Sequence, residues 1–156
     1  MAKFDIRVEK AADVATVYVS GILDEDVDFN LYSLNQLKKI DLKLADVKGI
    51  NSCGIREWIR WLGQAKDAQI TFHQCPKVIV DQMNMVDGFL PSGASVASFY
   101  VPYYSDESGT EKMVLFSVGK EFSDGTVHPP KDVKDNDGHL MEMDIIEAKY
   151  FKFLKK

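Results

Sequence analysis

Cysteine is scarce in this chain: Cys53 and Cys75 are the only two among 156 residues. Both sit in apolar or helix-start surroundings, so no disulfide framework is expected. Long hydrophobic runs are missing too. Nothing approaches the roughly 20 apolar residues that cross a bilayer, and the opening "MAKFDIRVEK" lacks a signal peptide's apolar segment. Positive charge is in deficit. Against 24 acidic residues stand 19 Lys and Arg, a net charge of −5, which provides no basic field to hold nucleic acid or an anionic membrane surface. Walker, Gly-x-Gly-x-x-Gly, Gly-x-Ser-x-Gly and His-Glu-x-x-His motifs are all absent. These absences point to a cytoplasmic protein that is not an enzyme, with no cofactor, no metal, and no nucleic-acid or membrane partner.

What is present is a 46% hydrophobic chain with ordinary Gly and Pro, enough for one core and a small appendage. "KFDIRVE" and "TVYVSG" alternate apolar and polar residues and predict a hairpin of half-buried strands. "DEDVDFNLYSLNQLKK" spaces Val27, Leu31 and Leu34 as a helix would, with carboxylates at its positive end. "KIDLKLADV" predicts a strand. It leads into "GINSCGIREWIRWL", where Ile55, Trp58, Ile59 and Leu62 form the stripe of a helix lying on a sheet. "AQITFHQ", "PKVIVDQMNMV" and "ASVASFYVPYY" add strand, helix and strand. The expected order is β-β-α-β-α-β-α-β, an α/β fold with a mixed sheet and helices packed on it.

After "SDESGTEK" the pattern changes, and residues 1–103 and 104–156 are expected to form a main domain and a carboxy-terminal extension. The extension is β-rich, with strands at "KMVLFSV" and "LMEMDI", and ends in a short helix packing Tyr150, Phe151 and Leu154. Ser105 and Ser108, then Lys134 and Asp137 before Gly138, keep the paired spacing of zinc knuckles without a thiol or imidazole at any of the four. The extension thus resembles a zinc ribbon without its cysteines, its shape held by packing alone. An EF-hand reading of "DNDGH" fails, because Val133 would fill the first ligand position. His73 and Cys75 are expected on one side of a strand, too few ligands for a site.

The turn before the second helix carries the main functional expectation. Ser52 is read as its N-cap, with Gly54 allowing close packing. The same helix start favours anions, so phosphate on Ser52 would change the surface a partner meets. Cys53 there is a candidate reactive thiol or a small buried hydrophobe. Trp61 is placed on a half-exposed flank with Arg56, Glu57 and Arg60, a composition found at interaction hot spots; ordinary packing against the extension is the alternative.

With "YVSGILDED" in the second strand and "IDLKLADVKGINSCGIREWI" around the third, residues 3–102 resemble the STAS domain. The best-known members of that family are bacterial anti-sigma factor antagonists. In them an Asp-Ser-Ser-Gly turn opens helix two, and a kinase that is also the anti-sigma factor phosphorylates its second serine. The unphosphorylated form binds that kinase and frees the sigma factor, which is called partner switching. Aligned on Gly54, the family's aspartate falls on Asn51, its first serine on Ser52 and its phosphoacceptor on Cys53. The resemblance therefore implies a regulatory protein-binding module whose switch is absent or moved to Ser52. It implies an anti-sigma factor or serine-kinase-like partner meeting Asp24, Arg56, Glu57, Arg60 and Trp61. A constitutive scaffold or homodimer, using the helix face and the aromatic "FYVPYY" strand, is one alternative. A small-ligand or nucleotide-binding relative is the other.

Overall fold

A computed structural model describes residues 3–155. Strands β1 (Asp5–Ala11) and β2 (Val14–Leu23) form the expected antiparallel hairpin. Beyond them β3 (Lys39–Ile50), β4 (Gln69–His73) and the short β5 (Ser95–Val96) add in parallel, giving a mixed five-stranded sheet in the order 1-2-3-4-5. Helices α1 (Ser52–Leu62) and α2 (Lys77–Met85) pack on it. Alternation decides which face they cover. Ile6, Val17, Val19, Ile40, Leu42, Leu44, Ile70 and Phe72 are buried on one side, while Thr16, Tyr18, Asp41, Lys43, Thr71 and His73 remain partly exposed.

The helix expected across "DEDVDFNLYSLNQLKK" does not form. Only a single 3-10 turn, Phe29–Leu31, appears there, opened by Asp28, whose side chain accepts from the Asn30 amide. Leu31, which the helical stripe required to be inside, is 76% exposed. Val27, Phe29, Leu34 and Leu37 go inward instead, a spacing that serves an irregular segment draped over α1. Phe29 stacks on Trp61, with ring centroids 4.4 Å apart.

The segment read as one closing strand is two. Ser95–Val96 ends the first sheet, and β6 (Ser98–Tyr104) joins a second, antiparallel sheet between β7 (Glu111–Ser117) and β10 (Glu142–Met143). Ala97 is the junction. Its amide donates to the Phe72 carbonyl of the first sheet, and its carbonyl accepts from Val118 beyond β7. A bridge from Cys75 to Phe99 holds the sheets together beside it. Gln74 has φ +55, so strand alternation stops there. His73 keeps the alternation of β4 and faces the polar side, 2.8 Å from Asp41, whereas Cys75, beyond the break, lies fully in the core; the two do not share a side.

The rest of the chain is β-rich and ends in helix, as expected. β8 (Phe122–Ser123) and β9 (Thr126–Val127) make a tight hairpin. Asp124 and Gly125 both have positive φ at its tip, the primed turn that such hairpins use. A four-residue helix α3 (Glu147–Tyr150) and a final 3-10 turn bury Tyr150, Phe151 and Phe153 against Phe99 and Phe116. No helix among the described residues is long and apolar enough to cross a membrane.

Candidate functional site: the start of helix α1

Strand β3 runs to Ile50 and delivers the Asn51-Ser52-Cys53-Gly54 turn to the edge of the helical layer. The cap is Asn51 and not Ser52: the Asn51 side chain accepts from the Gly54 amide at 3.0 Å. Its extended backbone (φ −109, ψ −178) and the strand's end at Ile50 fix that position. The cap expected at Ser52 thus falls one residue earlier, because β3 ends at Ile50. The consequence is that the Ser52 hydroxyl is not engaged in capping and stands exposed on the first turn. Cys53 beside it is half-buried.

Asn51 is also tied across the surface. Its Nδ2 donates to Glu25 Oε2 at 3.0 Å, so the loop after β2 is fastened to the helix start. Asp24, partly exposed, accepts from the Asp26 amide at 2.9 Å within the same loop. Hydrogen bonds from its own backbone amide and from Asn51 hold the Glu25 carboxyl below its ordinary pKa. Replacing Asn51 by alanine is expected to cost about 1 kcal/mol through the lost cap. Ser52→Ala is expected to change stability by less than about 0.5 kcal/mol, as exposed positions generally do. Urea titrations of both variants check this, and the reverse ranking would return the cap to Ser52.

Ser52, Arg56 and Arg60 follow one another at four-residue intervals and are all exposed, so they line a single stripe of α1. Glu57 lies between the arginines, 3.2 Å from Arg60 and 3.7 Å from Arg56. Trp61 is not part of this surface. It is 1% exposed, with its indole N–H on the Tyr32 carbonyl at 2.7 Å. The expected half-exposed flank is covered by the irregular 24–38 segment, not by the extension. Trp58 is equally buried, stacked on Phe89 and donating to the Phe89 carbonyl at 3.1 Å.

The two knuckle-like turns of the extension do come together. Ser108 Oγ donates to Asp135 Oδ2 at 2.5 Å, and His139 reaches Glu107 at 3.1 Å. Asp135, Asp137 and His139 also bring their ligand atoms within 4.8 Å of one another, the one group among the described residues with metal-ligand chemistry. Both Asp135 oxygens are already committed, however: Oδ1 accepts from the Asp137 and His139 amides, each at 2.9 Å, and Oδ2 accepts from Ser108. The turns are thus clasped by hydrogen bonds in addition to packing.

That clasp makes acid stability testable. The hydrogen bond from Ser108 leads the causes that hold the Asp135 carboxyl well below the usual carboxylate range, with the His139 and Asp137 amides adding to it. A pKa lowered in the folded state gives stability that is complete above the unfolded value near 4 and lost as pH falls below it. Asp135→Asn is therefore expected to be less stable than the parent at pH 7, with the gap closing below about pH 4. Thermal melts from pH 7 to 2 measure it.

Several hollows lie away from the helix start. One of about 590 Å³ opens between α2 and the end of the chain, lined by Lys77, Asp81, Met85, Ile146 and Lys149. None of residues 51–60 borders it. Comparison with protein-family models, curated proteins and solved structures gives no match.

Proposed function

We propose that this protein is a non-catalytic regulatory module that binds another protein through the start of α1, an anti-sigma factor antagonist-like component of a bacterial partner-switching system with Ser52 as the moved phosphoacceptor. The observation that carries this reading is the stripe Ser52–Arg56–Arg60, with the serine hydroxyl exposed because Asn51 does the capping. Phosphate on Ser52 would gain from the amide end of the helix. It would also lie one turn from Arg56 and compete with Glu57 for that guanidinium. A partner reading Arg56 and Arg60 then meets a different charge pattern in each state. Further support comes from the hairpin-then-parallel sheet and its helical layer, which fit the STAS resemblance. The irregular 24–38 segment, where the helix was expected, departs from the expected element order. In this reading the protein works in the cytoplasm, bound to a kinase-like anti-sigma factor.

Tagged protein incubated with host lysate, with and without ATP, tests the proposal when the bait is also analysed for site-resolved phosphate. The expected result is a co-purifying kinase-like partner that is lost as Ser52 gains phosphate, and lost likewise from Ser52→Asp. An unmodified Ser52, or a partner indifferent to Ser52→Asp, would refute the switch.

A further inference from the structure

Edge strands expose unpaired backbone, and proteins shorten them, charge them or cover them. Most edges here follow that rule. β1 places Asp5, Arg7, Glu9 and Lys10 along its length, and β5 and β10 are two residues each. β7 is the exception. It is seven residues long, lies at the margin of its sheet, and exposes Met113 (45%) and Leu115 (36%).

Its register shows which backbone groups are open. Val118 donates to Ala97 and Ser105 to the Thr110 carbonyl, so even-numbered residues of β7 turn their peptide groups toward β6. The odd-numbered ones point outward. Ser117 is satisfied by Glu121, whose carboxylate accepts its amide at 2.9 Å. Glu111, Met113 and Leu115 form no backbone ladder on that side among the described residues.

We propose that β7 is a homodimer edge, pairing antiparallel with β7 of a second copy of this chain. An antiparallel two-fold centred on Val114 sets Met113 against Leu115 of the second copy, twice, and joins their outward peptide groups. The charges select the same orientation. In this register Glu111 faces Ser117 and Lys112 faces Phe116 of the second copy, whereas parallel in-register pairing would oppose Glu111 to Glu111 and Lys112 to Lys112, like against like. The resulting six-stranded sheet adds a strand to an exposed edge, as extended partners do elsewhere.

Light scattering and sedimentation equilibrium on the full chain, from about 5 to 500 μM, follow the mass-action rise that a self-pairing edge requires. The wild-type mass is expected to climb from 17.6 kDa toward twice that value. Leu115→Lys puts like charge at the contact. Leu115→Pro removes an outward N–H without touching the ladder to β6. Both are expected to weaken association at least tenfold while keeping the near-ultraviolet signal of Trp58 and Trp61. Leu140→Lys, exposed but outside the strand, is expected to dimerise as the parent does. A wild-type chain that stays monomeric throughout overturns the proposal and leaves the edge to an extended segment of another protein. A dimer unmoved by Leu115→Lys overturns it equally.

Discussion

Gly54→Ala is expected to destabilise the protein by about 3 kcal/mol or more, an unusually large effect for adding one methyl group. A Cβ at this position would stand 2.1 Å from the Leu23 carbonyl oxygen and 3.0 Å from the Leu23 side chain. That oxygen cannot rotate away. It belongs to the last residue of β2 and already accepts the Asn51 amide at 3.0 Å. To admit the methyl, α1 must lift from the sheet, which also stretches the cap between Asn51 and the Gly54 amide. The loss of stability comes together with displacement of Ser52 and Arg56. Gly63→Ala at the other end of the helix is the control. Its backbone is already right-handed helical, with φ −63, and its nearest obstacle is 3.2 Å away, so a change within about 1 kcal/mol is expected. Urea unfolding of both variants, read at unchanged m-value, separates them.

Trp58→Ala is expected to cost about 3–5 kcal/mol, in the range for emptying a large buried aromatic site. Trp58 is fully buried where three parts of the chain meet: it stacks on Phe89 and makes edge contacts with Phe72 of β4 and Phe29 of the irregular segment. Trp58→Phe keeps most of the packing but leaves the Phe89 carbonyl without its indole donor, an added loss of about 1–3 kcal/mol. The denaturation midpoint is expected to fall in the order parent, phenylalanine, alanine. Both variants lack the indole donor, so a phenylalanine variant as stable as the parent would mean that the hydrogen bond contributes nothing.

Period-two alternation made the strands legible in the sequence. Ile6, Val17 and Val19, then Ile40, Leu42 and Leu44, mark one buried face without ambiguity, and the stripe of α1 was equally plain. The 24–38 segment misled because Val27, Leu31 and Leu34 satisfy a helical spacing by coincidence. Phe29 sits between them and is drawn inward by Trp61, a tertiary contact that no local window contains. The same contact hid the burial of Trp61, since the cover comes from a residue 32 positions earlier in the chain. At the candidate site the turn itself was visible and its cap was displaced by one residue. The clasp between the knuckle-like turns followed from neither spacing nor composition. It joins Ser108 to Asp135, and only the pairing of β10 with β6 brings those two turns to the same end of the sheet.

The junction at Ala97 governs how the molecule comes apart. One residue ties β4 to the segment following β7, and Asn84 of α2 bonds both the Tyr150 carbonyl and the Phe153 amide near the chain's end. Local opening of either sheet therefore strips hydrogen bonds from the other, and the slowest-exchanging amides of both sheets are expected to share one opening free energy. A fragment cut at residue 103 would leave Phe99 without Phe116, Phe151 and Phe153 to cover it. The extension is thereby a cooperative part of the fold that presents Ser52, and the shorter piece is expected to populate aggregates instead of a working half.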